Sequence, residues 1–444
     1  MPPSAGIDAD ATTGDPPTDA ARRYYLWTIG CQMNQADSRR LAEALEARGY
    51  AASRRPEDAD VLILNTCVVR QSAEDKVVGR LSSLEPLARD PEHRRILLVM
   101  GCIVGDAVEL SARFRDVDGF FAPSDVQGLL SYLDGRHGEG QLSGPLRAVQ
   151  VSEMVPISYG CDHHCTYCII TERRGPQQSR PLSDILAEAR DLVSRGAREI
   201  TLLGQNVDAY GSDLDDGVDL ADVLAAVHEI PGLLRLRFLT SHPREMSQRI
   251  IDAAAQLGKV CPSWELPVQA GDDAVLRRMA RGYTIDRYRD VVARIRAAIP
   301  GAAINTDIIV GFCGETEEQF ERTLELAREL RFDQVHIAAY SVRTGTAAAT
   351  WPDDVPPEEK ERRRLALESL QTEITGEINA RLRGRTVEIL VEDRQRGRWR
   401  GRTASNKLVF FDDPADWRGR LARVRITWTG PWSMIGDVET DDGH

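Results

Sequence analysis

Residues 161 to 168 read CDHHCTYC, three thiols and two imidazoles within eight positions. Thiolates spaced C-x3-C-x2-C can hold three corners of a cubane iron-sulfur cluster or three of the four positions around zinc, and spacing alone does not separate the two. Zinc would need a fourth ligand. His163 or His164 is the nominal candidate, although neither has the separation usual for His ligands in zinc fingers. A cubane cluster instead leaves one iron without a protein ligand. The amino and carboxylate groups of S-adenosylmethionine (SAM) can chelate that iron, and an electron from the cluster can then cleave the sulfonium to give a deoxyadenosyl radical. Three further cysteines, Cys31, Cys67 and Cys102, are far apart in sequence.

The elements around these residues decide what they can do. RYYLWTIG from Arg23, VLILN at 61 to 65, ILLVM at 96 to 100 and GFFAP near Phe120 read as strands. Helices fall between them, one from Asp37 to Arg48 stopped by Gly49, another marked by Val77, Val78, Leu81 and Leu84. This alternation predicts a doubly wound parallel sheet over 23–138. In that register Cys31, Cys67 and Cys102 each lie two or three residues past the end of a different strand, where open parallel sheets bind ligands. The simpler alternative is three buried core thiols.

GRHGEGQLSGP, 135 to 145, reads as a linker. Beyond it a strand and helix unit repeats over 147–377, with strands at VPISY, EITLLG, LRLRFL, SWELPV, INTDIIVG and QVHIAAY. Between them lie amphipathic helices such as Ser183 to Arg195, capped by Ser183 or Asp184. Six units predict a partial parallel (β/α)6 barrel with its chemistry on the loops after the strands, and CDHHCTYC is on the first of those loops. Zinc knots usually stabilise small domains, so this placement favours the iron-sulfur reading. A charged helical stretch, Glu358 to Arg381, leads to short alternating strands over 380–438 that predict a small β-barrel. In its strand LARVRITW the alternation puts Val424, Ile426 and Trp428 on one face and Arg423, Arg425 and Thr427 on the other.

Composition excludes several classes. No apolar run is long enough to span a bilayer. The first 22 residues, rich in Pro and Asp, lack the basic start and apolar run of a signal peptide and predict a disordered acidic tail. Eight cysteines without a secretory signal fit a reducing cytoplasm better than a disulfide framework. The net charge of −13 argues against nonspecific nucleic-acid binding by the whole chain. Residues 381 to 428 invert that balance, with twelve Arg and one Lys against six carboxylates, a net of +7.

C-x3-C-x2-C with Tyr167 before its last cysteine resembles the signature of the radical SAM superfamily. The N-terminal cysteines, the barrel and the basic terminal barrel together resemble the methylthiotransferases, whose last domain is called TRAM. GCQMNQADS at 30, NTCVVR at 65, GCIV at 101, SRP at 179, LLGQNV at 202, TSHPRE at 240, LPVQAGDDAVLRRMARGYT at 266 and SVRTGTAAA at 341 carry the likeness. It spans about residues 23 to 436. GCQMN, LLGQNV and LPVQ look most like the branch acting on N6-isopentenyladenosine in tRNA. Related branches act on threonylcarbamoyl-adenosine or on a ribosomal-protein aspartate, and a noncatalytic zinc protein that binds RNA is the alternative from another class.

The resemblance implies two [4Fe-4S] clusters and SAM. It assigns Cys161, Cys165 and Cys168 to the cluster that SAM engages, and Cys31, Cys67 and Cys102 to an auxiliary cluster that carries sulfur. Tyr167, Gly204, Gln205 and Asn206 are expected near SAM, and Arg180 and Asp307 near SAM or substrate, each of these last two being equally fit for an ion pair. The partners implied are a tRNA anticodon loop and an electron donor protein, for a monomer in the cytoplasm without a membrane. Arg381, Arg383, Arg385, Arg394, Arg396, Arg398, Arg400 and Arg402 are candidates for RNA phosphates. His163 and His164 become spacers. Two places depart from the family: Cys313 stands in GFCGET where proline is usual, and TERRGP at 171 leaves the use of Arg173 and Arg174 open. Cys261 reads as a core thiol.

Overall fold

A computed structural model describes residues 22–67, 71–105, 107–137 and 147–439. The acidic tail, Val68 to Arg70 of NTCVVR and most of the expected linker lie outside the described residues. The chain forms two compact units. The described residues of the first lie within Met1–Ala148, Gly160–Asp162 and Cys168–Pro176, and those of the second within Val149–Tyr159, His163–Tyr167 and Gln177–His444.

The first unit is built on five parallel strands, β1 (Arg23–Thr28), β2 (Ala51–Ala52), β3 (Val61–Thr66), β4 (Ile96–Gly101) and β5 (Gly119–Phe121), in the order β2-β1-β3-β4-β5. Val61 to Thr66 is buried throughout because both faces are covered. Leu62 and Leu64 face a cluster with Val77, Leu81 and Leu84 of helix α2 (Gln71–Ala88). Val61 and Ile63 face Leu41 and Leu45 of α1 (Gln32–Ala47), together with Leu129, Leu130 and Leu133 of α4 (Val126–His137); α3 is Ala107–Arg113. Helix α1 begins five residues before the expected Asp37. Cys31 is its N-cap, and buried Met33, Asn34 and Ala36 fill the first turn, a start that apolar periodicity misses because two of those turn residues are small or polar.

The second unit opens with β6 (Ser152–Pro156) and a short antiparallel pair, β7 (Ser158–Tyr159) with β8 (Gln178–Ser179). The loop between that pair carries CDHHCTYC and helix α5 (Ile170–Arg174). Then come β9 (Glu199–Leu203), β10 (Arg235–Phe238), β11 (Ser263–Glu265), β12 (Ala303–Val310) and β13 (Gln334–Ala339). All six expected barrel strands are present and parallel, as β10-β9-β6 and β11-β12-β13, with Leu236 bridging in parallel to Val260 between the two sets. Helix α6 runs from Leu182 to Ser194, capped by the backbone of Pro181 rather than by Ser183 or Asp184.

A closed barrel follows the long helix Pro357–Ala380, with β14 (Thr386–Gln395), β15 (Arg398–Thr403), β16 (Leu408–Phe411), β17 (Leu421–Thr429) and β18 (Met434–Val438) in the order β14-β15-β16-β18-β17. Val424 and Ile426 face its core, but Trp428 is 49% exposed. A register shift against β18 between Ile426 and Trp428 inserts one residue, and a bulge of this kind re-aims the following side chain. Arg235 and Arg237 anchor this barrel within the second unit, donating to the carbonyls of Arg402 (2.5 Å), Thr403 (2.9 Å) and Ala404 (2.8 Å). Among the described residues no helix is long and apolar enough to cross a membrane.

Candidate functional site

The first unit reverses strand order between β1 and β3, and Cys31 and Cys67 follow those strands at their carboxyl ends, with Cys102 directly after β4. Two glycines make the approach possible. Gly30 has φ +141, and a Cβ there would stand 2.7 Å from that of Cys67; Gly101 has φ +103, and a Cβ there would stand 2.4 Å from the Thr66 carbonyl oxygen. Asn34, fully buried, donates to Thr66 O at 2.7 Å, and Asn65 donates to Asn34 O at 2.8 Å, so side-chain amides lace the strand ends together. Cys31 begins a 16-residue helix, whose N-terminus favours negative charge, and its Sγ lies 3.3 Å from Asn34 Oδ1.

The arginines of TERRGP belong to this same unit. The Arg174 side chain is 2% exposed, with Nη1 2.9 Å from Ser124 Oγ and 3.6 Å from Asp37 Oδ2, and Nη2 3.1 Å from Asn34 Oδ1. Burial pushes the Cys102 thiol up, against the Arg174 guanidinium, which acts on it through charge and a hydrogen bond. Burial likewise raises Asp37, with Arg174 and the Ser124 hydroxyl opposing. Arg173 occupies the place where any Cβ on Gly105 would stand. Sequence reasoning marked these two residues as a departure but could not see where they reach.

Of the CDHHCTYC cysteines, Cys161 and Cys168 fall in the first unit and Cys165 in the second, all within eight residues of chain. Cys161 is tied by its N–H to Gly175 O at 3.1 Å, and Thr171 Oγ1 donates to Cys161 O at 3.3 Å. Cys165, buried, accepts from Arg281 Nη1 at 3.4 Å. The other arms of that buried guanidinium go to Tyr283 OH and Pro267 O, each at 3.2 Å. Arg281 belongs to the quoted LRRMARGYT stretch, yet nothing in the sequence connected it with Cys165. Thr166 is pinned on both sides, its N–H donating to Met279 O and its hydroxyl to Arg278 O at 2.7 Å. Tyr167 packs edge-on against Phe312 and the barrel core.

Within the second unit, polar groups gather after the barrel strands. A Cβ on Gly204 would stand 2.6 Å from Ser158 Oγ, so a side chain there would force that hydroxyl to move. Asn206 is buried, and neither end of its amide has a protein partner among the described residues; Ser158 Oγ, Gln269 Oε1 and one Asp208 oxygen share that condition. Gln205 is half-buried. Buried Asp208 is pushed up to about 7 by burial, against the His242 backbone N–H that it accepts at 2.9 Å. His163 is no spacer: it stacks on His242 at 4.0 Å, and Glu245 lies 3.2 Å from His163 Nε2 and 2.7 Å from His242 Nδ1. Burial drives His242 down to about 4. Asp307 groups with Glu265 and His336, whose side chains are 3.3 Å apart. Arg180, one of the expected SAM or substrate contacts, is engaged by Glu188 at 2.8 Å and donates to Pro156 O, which is the ion-pair role.

The basic barrel splits its arginine candidates. Arg381, Arg383, Arg385 and Arg396 are exposed, while Arg398 pairs with Asp412 at 3.2 Å and Arg394 lies over Trp399. Arg400 and Arg402 are half-buried and paired with Asp393 at 2.7 Å and Glu392 at 3.3 Å. Sequence counting cannot tell these groups apart, because Glu392 and Asp393 neutralise from across the sheet. Cys261 is buried and pushed up to about 11 by burial. Burial also raises Cys313, which Tyr340 hydrogen-bonds.

Known proteins place these features. Models of the Radical SAM superfamily, of the Uncharacterized protein family UPF0004 and of the TRAM domain match residues 155–327, 23–122 and 380–438. A tRNA-2-methylthio-N(6)-dimethylallyladenosine synthase of Roseiflexus sp. (strain RS-1) is 52% identical, over 98% of this chain and 93% of its own. The protein of that name in Chloroflexus aurantiacus is 49% identical, over 96% and 93%. The chain belongs to this family. Among solved structures, the radical SAM methyltransferase TsrM of Kitasatospora setae shares the fold with a TM-score of 0.55 at 13% identity, covering 74% of each chain. The cobalamin-dependent enzyme OxsB shares it at 0.51 and 10%, covering 79% of this chain and 56% of its own.

The residues present fit the groups such a family implies. None of the eight cysteines is in a disulfide, and the two cysteine sets each meet a buried guanidinium, which suits an anionic iron-sulfur cluster. Buried amide and hydroxyl groups without partners suit a polar ligand such as SAM, since leaving them unpaired costs about 1–3 kcal/mol each.

Proposed function

We propose that this chain methylthiolates C2 of N6-(dimethylallyl)adenosine at tRNA position 37, using SAM and two [4Fe-4S] clusters. C2 of adenine is not acidic, so acid-base catalysis offers no route to replacing its hydrogen with sulfur. When bound, the clusters and SAM supply the hydrogen-abstracting radical, the sulfur and the methyl group. The chain's own residues bind and orient.

On this reading Cys161, Cys165 and Cys168 ligate the cluster that SAM engages, and Cys31, Cys67 and Cys102 the auxiliary one. Arg281 supplies positive charge at Cys165 and fixes its side chain. Gly204, Gln205 and Asn206 receive the amino acid end of SAM, with Gly204 permitting close backbone approach and the unpartnered amide of Asn206 available to it. Tyr167 packs the cluster loop against the barrel core, and Asp307, with Glu265 and His336, offers acceptors for substrate hydroxyl or amino groups. Single-stranded loops are where RNA bases can be splayed into a pocket. The exposed Arg383, Arg385, Arg396 and Arg398 meet phosphates around that loop, with a lesser share for the paired Arg400 and Arg402. The reading also takes the chain as a cytoplasmic monomer that draws electrons from a carrier protein.

The observation that carries it is the pair of separate cysteine triads in a chain of this family, because one triad would serve a radical but leave no second place for sulfur. Nucleoside mass spectrometry of tRNA from a strain lacking this chain tests it. The expected result is loss of the 2-methylthio group with N6-(dimethylallyl)adenosine retained; an unchanged 2-methylthio signal contradicts the proposal.

A further inference from the structure

We infer that Arg174 is a positioning residue for the auxiliary cysteine set, setting the charge felt by whatever Cys31, Cys67 and Cys102 hold. This rests on the two-cluster reading. The loop that carries Arg174 begins at Cys168, and both of its arginines enter the end of the first unit where those three cysteines meet: Arg173 over Gly105, three residues past Cys102, and Arg174 among Asn34, Asp37 and Ser124. Asn34, tied to the strand end at Asn65, and Asp37 and Ser124, bonded to each other, hold one guanidinium in place, and Arg173 fills the space that a side chain on Gly105 would need.

The physical argument is charge balance. A cubane cluster on three thiolates is anionic, and any sulfur carried on it adds negative charge, all at a place where Cys67 and Cys102 are buried. Buried anions persist only when paired. Arg174, with its side chain 2% exposed and permanently charged, is the cation built into that place. Asp37 lies 3.6 Å from the same guanidinium and shares its charge, so the compensation it gives is partial. Removing the charge makes the cluster harder to reduce, while a lysine keeps the charge and loses only the forked hydrogen bonds.

The test uses the full chain with Cys161, Cys165 and Cys168 all changed to Ala, so that only the auxiliary cluster remains, and follows its reduction by redox titration with electron paramagnetic resonance. Arg174→Gln is expected to shift the potential to more negative values, with Arg174→Lys returning most of the way. If the Gln variant loads no iron but the Lys variant does, the need for charge is supported in another form. Equal potentials in the parent and both variants overturn the proposal alone, as does loss of iron from both variants in a chain that melts like its parent. A parent that holds no cluster overturns the two-cluster reading and this inference with it.

Discussion

The two cysteine sets are built in opposite ways. Cys161, Cys165 and Cys168 come from eight consecutive residues, so the chain itself limits how far apart they can lie. Cys31, Cys67 and Cys102 come from three strands, and nothing joins them until β1, β3 and β4 pair in parallel register. The charges beside them differ as well. Arg281 faces Cys165 with a tyrosine hydroxyl and a carbonyl for company, whereas Arg174 shares its charge with Asp37. A cation beside a thiolate eases entry of an electron into any cluster held there, and a cation shared with a carboxylate does so less.

The largest expected effects separate the sets by function. Cys165→Ala should abolish both deoxyadenosine formation from SAM and methylthiolation of tRNA. Cys102→Ala should abolish methylthiolation while deoxyadenosine still forms, and chromatography of both products checks this. If Cys102→Ala also stops SAM cleavage, the two sets do not divide the work as described. Next in size, Arg281→Met should lower SAM cleavage about tenfold to hundredfold, the range typical of groups that support a metal ligand. Equal cleavage rates would reduce Arg281 to a packing role.

A smaller effect sharpens the electrostatics of the barrel. The folded state holds the Asp208 proton up to about pH 7, against 3.8 for the ordinary side chain, so wild-type stability falls as pH rises through that window. Asp208→Asn should therefore gain on wild type with rising pH, by at most about 1.4 kcal/mol per pH unit, in urea melts across the window. His242 acts in the opposite sense: its pKa falls from 6.5 to about 4, so its contribution is lost as pH drops through that range. A flat difference between Asn variant and wild type would place the Asp208 proton elsewhere. Smallest of all, Arg383→Ala and Arg385→Ala should each reduce the salt dependence of tRNA binding by about one unit of slope, and Arg400→Ala by less, because Asp393 already engages it. Filter binding over a salt series measures this.

Much of this was legible in the sequence, and the reasons are local. Six barrel strands and four of the five strands in the first unit show as apolar runs, and the strand ends then point to Cys31, Cys67 and Cys102. What was not legible depends on contacts between distant residues. Arg281 meets Cys165 from 116 positions away and Arg174 meets Asn34 from 140 positions away, and no periodicity reports such pairs. His163 looked like a spacer because its partners, His242 and Glu245, come from the loop after another strand. Trp428 looked like core because alternation assumes an unbroken ladder, and the bulge breaks it.

Iron and sulfide analysis of three anaerobically reconstituted full-length proteins tests the central claim of two separate clusters most directly. Wild type should hold about eight irons, and the Cys31, Cys67, Cys102 triple Ala variant and the Cys161, Cys165, Cys168 triple Ala variant about four each. A wild type with about four irons, or bound zinc without labile sulfide, would contradict it.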